Sequence, residues 1–283
     1  MAGLVTRFAP SPTGRLHRGH AFSALTAFEA ARNAGGRFLL RIEDIDRVRC
    51  KPEYETALLE DLAWIGLSWE QPVRRQSDHM DDFEAALEVL RSKGLLYRCF
   101  KTRKEIAEAA ASAPHGAGEG FRGAPLPVDE EAALLAAGKP FAWRLSLSAA
   151  SDLLGGFESL TFQEDGAGPN GETGVIQADP TSAGDVVLAR KDVGVAYHLA
   201  VVVDDALQGV THIIRGEDLF EAAHIQRLLQ ALLDLPTPTY RHHRLLTGPD
   251  GKRYAKRDLA ETLAELRERG VRPDDLRAEL GFA

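Results

Sequence analysis

The 283 residues, 44% hydrophobic and 27% charged, are enough to bury a full core and carry one large domain with an insertion or appendage. A net charge of −8, from 34 Lys+Arg against 42 Asp+Glu, excludes nucleic-acid binding by bulk charge, so any such contact must be local. No apolar run approaches the roughly 20 residues of a membrane span, Met1 to Arg7 lack the apolar core of a signal peptide, and Cys50 and Cys99 are too few for a disulfide framework or a four-ligand zinc site. These features predict a cytoplasmic chain with free thiols and no membrane contact.

In chain order, Val5-Thr6-Arg7-Phe8-Ala9 reads as a short strand closed by the turn cluster Pro10-Ser11-Pro12-Thr13-Gly14. From Gly19 to Asn33 the apolar residues Phe22, Leu25, Phe28 and Ala31 recur at helical spacing, and Gly35-Gly36 stops the pattern. Phe38 to Ile42 is a second strand, and strand, helix and strand form a βαβ unit whose right-handed crossover implies a parallel sheet. Two Gly/Pro-rich stretches, Ser112 to Val128 and Glu164 to Ser182, bracket a change of character, with strands expected at Phe141 to Leu145 and Asp185 to Ala189. The near-continuous apolar run from Ala196 to Val203 suits a strand buried on both faces. Thr211 to Arg215 is a further strand, Leu219 to Leu233 a helix, and Leu259 to Arg269 and Asp274 to Leu280 are short terminal helices. The fold class is α/β, divided into 1–100 and 191–240 as two halves of one sheet domain, 101–190 as an inserted α+β subdomain, and 241–283 as a basic loop with a helical C-terminal segment.

Three constellations carry chemistry. In the first, Pro10, Gly14, His17, Gly19 and His20 lie between the first strand and the first helix, where an α/β fold binds its ligand. Glycines there let a backbone approach phosphates, and two imidazoles three residues apart can face one ligand, although the same pair equally fits a helix cap. A metalloprotease-like site is excluded by the spacing of three with no intervening Glu. The second, Arg41-Ile42-Glu43-Asp44 at a strand's carboxyl end, suits a substrate ammonium or a set of surface ion pairs. The third, Gly251-Lys252-Arg253-Tyr254-Ala255-Lys256-Arg257, is a basic loop suited to a pyrophosphate leaving group or to ordinary solvated charge.

In their order, Arg-Phe-Ala-Pro-Ser-Pro-Thr-Gly, His-x-Gly-His, Leu-Arg-Ile-Glu-Asp, Tyr-x-x-Ala-Val-Val-Val-Asp-Asp, Ile-Arg-Gly-Glu-Asp-Leu and the Lys-Arg loop resemble the glutamyl-tRNA synthetase branch of the class I aminoacyl-tRNA synthetases over residues 5–100 and 183–258. The resemblance implies a Rossmann-like parallel sheet, with His17, Gly19 and His20 as the HIGH motif on the ATP phosphates and Arg253 to Arg257 as the KMSKS loop, Lys256 binding pyrophosphate. It implies glutamate binding by Arg7, Ser11, Glu43, Tyr197 and Arg215, an arginine taking a substrate carboxylate and Glu43 the ammonium, and Mg-ATP as co-substrate with Pro10, Gly14 and Arg253 beside it. Arg18 stands at a usually apolar position and Ala255 at a usual Ser. The short tail after Arg257 predicts no anticodon-binding domain and is similar to that of truncated members of the branch, which activate glutamate without tRNA and attach it to queuosine of tRNA(Asp). That group often carries a zinc site of cysteines plus a Tyr; here Lys101 replaces the second thiol after Cys99, so zinc is expected to be absent, and a monomer is expected. A truncated enzyme charging a tRNA 3′ end and a catalytically idle tRNA-binding paralogue remain as alternatives.

Overall fold

The structure is a computed structural model that describes residues 3–102, 104–106, 120–190, 194–246 and 261–282. The chain opens with β1 (Val5–Phe8), α1 (Arg18–Asn33) and β2 (Arg37–Ile42), and β1 and β2 pair in parallel with Val5 opposite Arg37. This is the βαβ unit read from the sequence. Its packing face differs from the expected stripe: Ala21, Ala24, Leu25, Ala27 and Ala31 are buried, and small side chains let the helix lie close on β1, where buried Thr6 Oγ1 donates to the Ala27 carbonyl at 2.9 Å. The helix ends where expected because a Cβ at Gly36 would lie 2.0 Å from the Leu4 carbonyl oxygen.

The chain continues through α2 (Pro52–Trp64), β3 (Arg74–Arg75), α3 (Met80–Ser92), β4 (Leu96–Cys99), α4 (Val128–Ala136), β5 (Ala142–Leu145), α5 (Leu147–Leu154), β6 (Thr161–Glu164), β7 (Gly174–Gln177), β8 (Val187–Arg190) and β9 (Gly194–Val195). It closes with α6 (Tyr197–Leu207), β10 (His212–Gly216), α7 (Phe220–Leu232), β11 (Thr239–His243), α8 (Leu263–Glu268) and α9 (Pro273–Glu279). One sheet runs β1-β2-β3 and another β10-β11-β6-β7. They meet where Thr211 N–H donates to the Val5 carbonyl at 3.0 Å and Val5 N–H donates to Thr211 Oγ1 at 2.8 Å. Pairing along this surface is parallel from β3 across to β6, so the carboxyl ends of β1, β2 and β10 open on one side. The third sheet, β4-β5-β8-β9, is antiparallel and includes both strands expected around 141–145 and 185–189.

The apolar run at 196–203 is not a strand but the start of α6. Leu199 to Asp205 are all buried, and a helix surrounded by core shows no polar face from which a helical period could be read. The β-branched Val201-Val202-Val203 favour a strand locally, and packing against α3 and α7 overrides that preference. Among the described residues, no helix is long and apolar enough to cross a membrane.

Two apolar clusters fill the interior. One joins α3, α6 and α7 to the antiparallel sheet through residues such as Phe83, Leu145, Leu188, Leu199 and Leu228. The other lies under α1 and β2 and receives α8 and α9 through Leu263, Leu266 and Leu276 against Leu58 and Leu62. Asp61 of α2 sits in that second seam, fully buried, with neither carboxylate oxygen hydrogen-bonded and Arg267 no nearer than 3.9 Å. Burial raises its pKa from 3.8 to about 6, against the weaker pull of Arg267 and Arg15. The folded state therefore holds this proton more tightly than the unfolded chain, so stability falls as pH rises from about 4 to about 6 and is level above. Asp61→Asn is expected to raise the melting temperature by a few degrees at pH 8 and to leave it unchanged near pH 4. An equal shift at both pH values in a thermal melt refutes this account.

Candidate active site

A cleft of about 500 Å³ lies at the carboxyl ends of β1, β2 and β10, beside the starts of α1 and α6. Arg7, His17, Gly19, His20, Glu43, Tyr197 and Arg215 all line it. Pro10, Ser11 and Gly14 are not in its walls. The two prolines flanking Ser11 hold a segment whose main chain serves its neighbours, Pro10 accepting from Glu43 N–H at 3.1 Å and Pro12 from Lys51 N–H at 3.0 Å, and Ser11 is left exposed. Arg253 and Lys256, with Ala255, lie outside the described residues.

His17 is the N-cap of α1: Gly19 N–H donates to His17 Nδ1 at 3.1 Å, and His17 N–H donates to His20 Nδ1 at 3.2 Å. The pair thus forms a reciprocal capping box with ring centroids 3.8 Å apart. A backbone amide can only donate, so both Nδ1 atoms are lone pairs and each neutral ring carries its hydrogen on Nε2. Cap and phosphate donor are compatible roles for one side chain, each using a different nitrogen. The positive end of the helix adds to the attraction for anions.

Beneath the cleft floor is a buried network of three arginines and three acids. Arg41 is fully buried; its Nη1 donates to Asp205 at 2.7 Å and to Gln208 at 2.9 Å, its Nη2 donates to Glu43 at 3.1 Å, and its Nε lies 3.6 Å from Asp204. Arg7 donates through Nε and Nη2 to the two oxygens of Asp205 at 3.0 and 3.3 Å. Asp204 accepts from Arg74 Nε at 2.7 Å and Gln76 at 2.8 Å. Burial opposes the Asp205 charge, but Arg7 and Arg41 prevail and hold its carboxyl below the usual range. For Glu43 burial prevails over Arg41 and Arg7, and its pKa is raised. Asp204 and Asp205 were legible as an acidic pair ending an apolar run, but assigning that run to a strand concealed their role. On a helix, consecutive side chains diverge by about 100°, so Asp204 reaches β3 while Asp205 reaches β1 and β2.

Arg215 is only 5% exposed, and each of its nitrogens is engaged: Nε with His242 Nε2 at 3.0 Å, Nη1 with Gln226 at 2.8 Å and Nη2 with the Leu219 carbonyl at 3.0 Å. Tyr197, the first residue of α6, lines the cleft nearby. The basic stretch beginning at Arg241 is not a uniformly solvated loop, because β11 alternates: Arg241 is exposed and His242 is 2% exposed. Phe22, Ser23 and His243, none of them singled out in the sequence as site residues, complete the cleft, with Ser23 Oγ 2.7 Å from His243 Nε2. Arg18 pairs with Glu261 at 3.0 Å and Glu279 at 2.8 Å, so this departure from the usual apolar residue joins the start of α1 to the C-terminal segment. His17 pairs with Thr262 in a β-bridge and Leu263 N–H donates to the Leu16 carbonyl at 2.9 Å beside it. Cys99 is buried on β4 and Cys50 half-buried, both as free thiols, and the described residues contain no group of three or more His, Cys, Asp and Glu that could hold a metal ion. Lys101 lies over the Phe121 ring at 5.8 Å, so the residues around Cys99 do not fit a zinc ligand set.

The parallel sheet, the histidines capping α1 and the charged floor define the catalytic domain of a class I synthetase. The family model for class I tRNA synthetases (E and Q), catalytic domain, matches residues 3–125 and 169–281, and the chain belongs to that family of ligases. It is 47% identical to glutamyl-Q tRNA(Asp) synthetase of Rhodobacter capsulatus over 99% of this chain and 100% of the relative. It is 40% identical to glutamyl-Q tRNA(Asp) synthetase of Symbiobacterium thermophilum over 99% of this chain and 86% of the relative. Within the family it is therefore a member of the glutamyl-Q tRNA(Asp) synthetase group. A crystal structure of a glutamate tRNA ligase from Elizabethkingia meningosepticum, in complex with its amino acid, is 28% identical with a TM-score of 0.74; the match covers 90% of this chain and 52% of that one. The chain thus spans about half the length of that ligase.

Removing the charge of Asp205 leaves the two guanidiniums of Arg7 and Arg41 without their shared anion. Asp205→Asn is expected to lose about 3–5 kcal/mol of unfolding free energy, the cost of breaking one side of a buried ion pair. Urea denaturation measures it, and a loss below about 1 kcal/mol, the scale of an exposed pair, contradicts the assignment.

Proposed function

We propose that the chain activates L-glutamate with Mg-ATP, without tRNA, to glutamyl-adenylate and then transfers glutamate to queuosine at the wobble position of tRNA(Asp). The observation that carries the reading is the gathering, in one cleft, of two imidazoles at a helix N-terminus, two buried arginines and a buried carboxylate. The names of the relatives support the same acceptor.

In this reading a glutamate α-carboxylate oxygen attacks the α-phosphorus, a Pα–O bond forms, and the bond to the pyrophosphate oxygen breaks. Charge grows on the phosphoryl oxygens and the leaving group, and the work of the protein is positioning and electrostatic stabilisation. His17 and His20 donate through Nε2 to phosphate oxygens, with Pro10, Gly14, Gly19 and Arg253 beside the nucleotide and Lys256 on pyrophosphate. Arg7 and Arg215 face the substrate carboxylates, Tyr197 adjoins them and Glu43 receives the ammonium. An arriving ammonium supplies the positive charge that Glu43, held toward its neutral form by burial, lacks. A hydroxyl of the queuosine cyclopentenediol then attacks the glutamyl carbonyl, AMP leaves and the hydroxyl proton is lost. The basic residues from Arg241 to Arg257 and the inserted segment would contact the tRNA.

Incubation with ATP, labelled glutamate and tRNA(Asp), with and without queuosine, is expected to label only the modified tRNA. Equal labelling of both refutes the acceptor. His20→Ala or Lys256→Ala is expected to slow tRNA-free, glutamate-dependent ATP–pyrophosphate exchange on the order of 10²–10³-fold, the usual loss on removing one preorganised donor. Exchange at the wild-type rate in either variant contradicts the role given to that residue.

A further inference from the structure

Glu164 ends β6, within residues 126–168, which the family model leaves unmatched. This strand leaves the inserted segment and pairs with β11 at a single register point, Tyr240 opposite Glu164. There the Glu164 carboxylate is fully buried: Oε1 accepts from the His242 and Gly166 amides, both at 2.8 Å, and Oε2 lies 2.6 Å from His242 Nδ1. His242 Nε2 in turn faces Arg215 Nε at 3.0 Å. A guanidinium has donors only, so Nε2 must be the lone pair and the imidazole hydrogen must sit on Nδ1, pointing at Glu164. Tyr240 stacks on the His242 ring at 5.9 Å and Phe220 meets it edge-on at 5.2 Å, so the ring's plane is fixed by packing and its tautomer by Glu164.

We propose that Glu164 is a positioning residue for glutamate binding: through His242 it fixes the guanidinium of Arg215 in the wall of the cleft. The inference rests on the reading that Arg215 meets a glutamate carboxylate. It makes the inserted segment part of the amino-acid site, although none of its side chains need touch the substrate. Only an acceptor at Oε2 maintains the chain. In Glu164→Gln the amide keeps its oxygen for the two backbone N–H groups and presents NH₂ to Nδ1, so the imidazole hydrogen moves to Nε2 and opposes the Arg215 Nε–H.

The test uses the full chain of Glu164→Gln, with folding verified by circular dichroism. In glutamate-dependent ATP–pyrophosphate exchange the KM for glutamate is expected to rise about tenfold, the scale of one buried charge-assisted hydrogen bond. The KM for ATP and kcat at saturating glutamate should stay within about twofold, on the principle that uniform binding is lost without transition-state binding. Equal rises in both KM values, or no change in either, overturn the proposal. Nitrogen-15 NMR of histidine-labelled protein reads the relay without reference to activity: wild type should show hydrogen on Nδ1 of His242, and the variant hydrogen on Nε2. An unchanged tautomer overturns the relay even if the wild type shows no glutamate-dependent exchange, a result that would count against the proposed function instead. If Glu164→Gln does not fold, Glu164→Asp withdraws the carboxylate by one methylene and carries the same readouts, a glutamate-selective rise in KM supporting the proposal and an unchanged one refuting it.

Discussion

Arg41 lies wholly out of water on β2, and its guanidinium is tolerable there only because Asp205, Glu43 and Asp204 surround it. A buried charge without such partners is costly enough that it would be neutralised or expelled. The compensation fixes more than one residue. Asp205 must stand on α6 where it meets both Arg41 and Arg7, and Asp204 must meet Arg74 from β3. Three parallel strands and a helix are thereby held in one arrangement, and the upper side of that arrangement is the floor of the cleft. Arg7 and Glu43, which face substrate in the proposed reaction, are members of the same network, so the site inherits its rigidity from the core beneath it.

The histidine pair shows the same economy at the rim. Each ring satisfies an amide at the start of α1 through Nδ1 and keeps a hydrogen on Nε2. The C-terminal segment fastens to the same helical turn through the His17–Thr262 bridge and the Arg18 ion pairs. Arg18, an oddity in the sequence, becomes intelligible once Glu261 and Glu279 are seen opposite it. The joint is partly exposed, so its value is in orientation more than in stability.

Much of the architecture was legible. The βαβ unit, the strands at 142–145 and 187–190, helix α7 and the terminal helices follow from periodicity and from Gly and Pro punctuation, which are local properties of the chain. The residues expected in the site also converge: Arg7, His17, Gly19, His20, Glu43, Tyr197 and Arg215 share one cleft. Two readings went astray for a physical reason. The run at 196–203 is buried on all sides and has no polar face to give a period, so its valines suggested a strand where packing made a helix. Ser11 lies in a motif, but its flanking prolines give the main chain the structural contacts and leave the hydroxyl outside.

By itself the sequence determined which chemical groups were available and in what order: imidazoles ahead of a helix, arginines and acids at strand ends, a chain too acidic to bind nucleic acid by bulk charge. Only the tertiary structure decided which charge answers which. Arg7 and Asp205 are 198 positions apart, and Glu164 meets His242 across 78. Their pairing is dictated by the desolvation of ions brought together across a core, a constraint that no local pattern in the chain records.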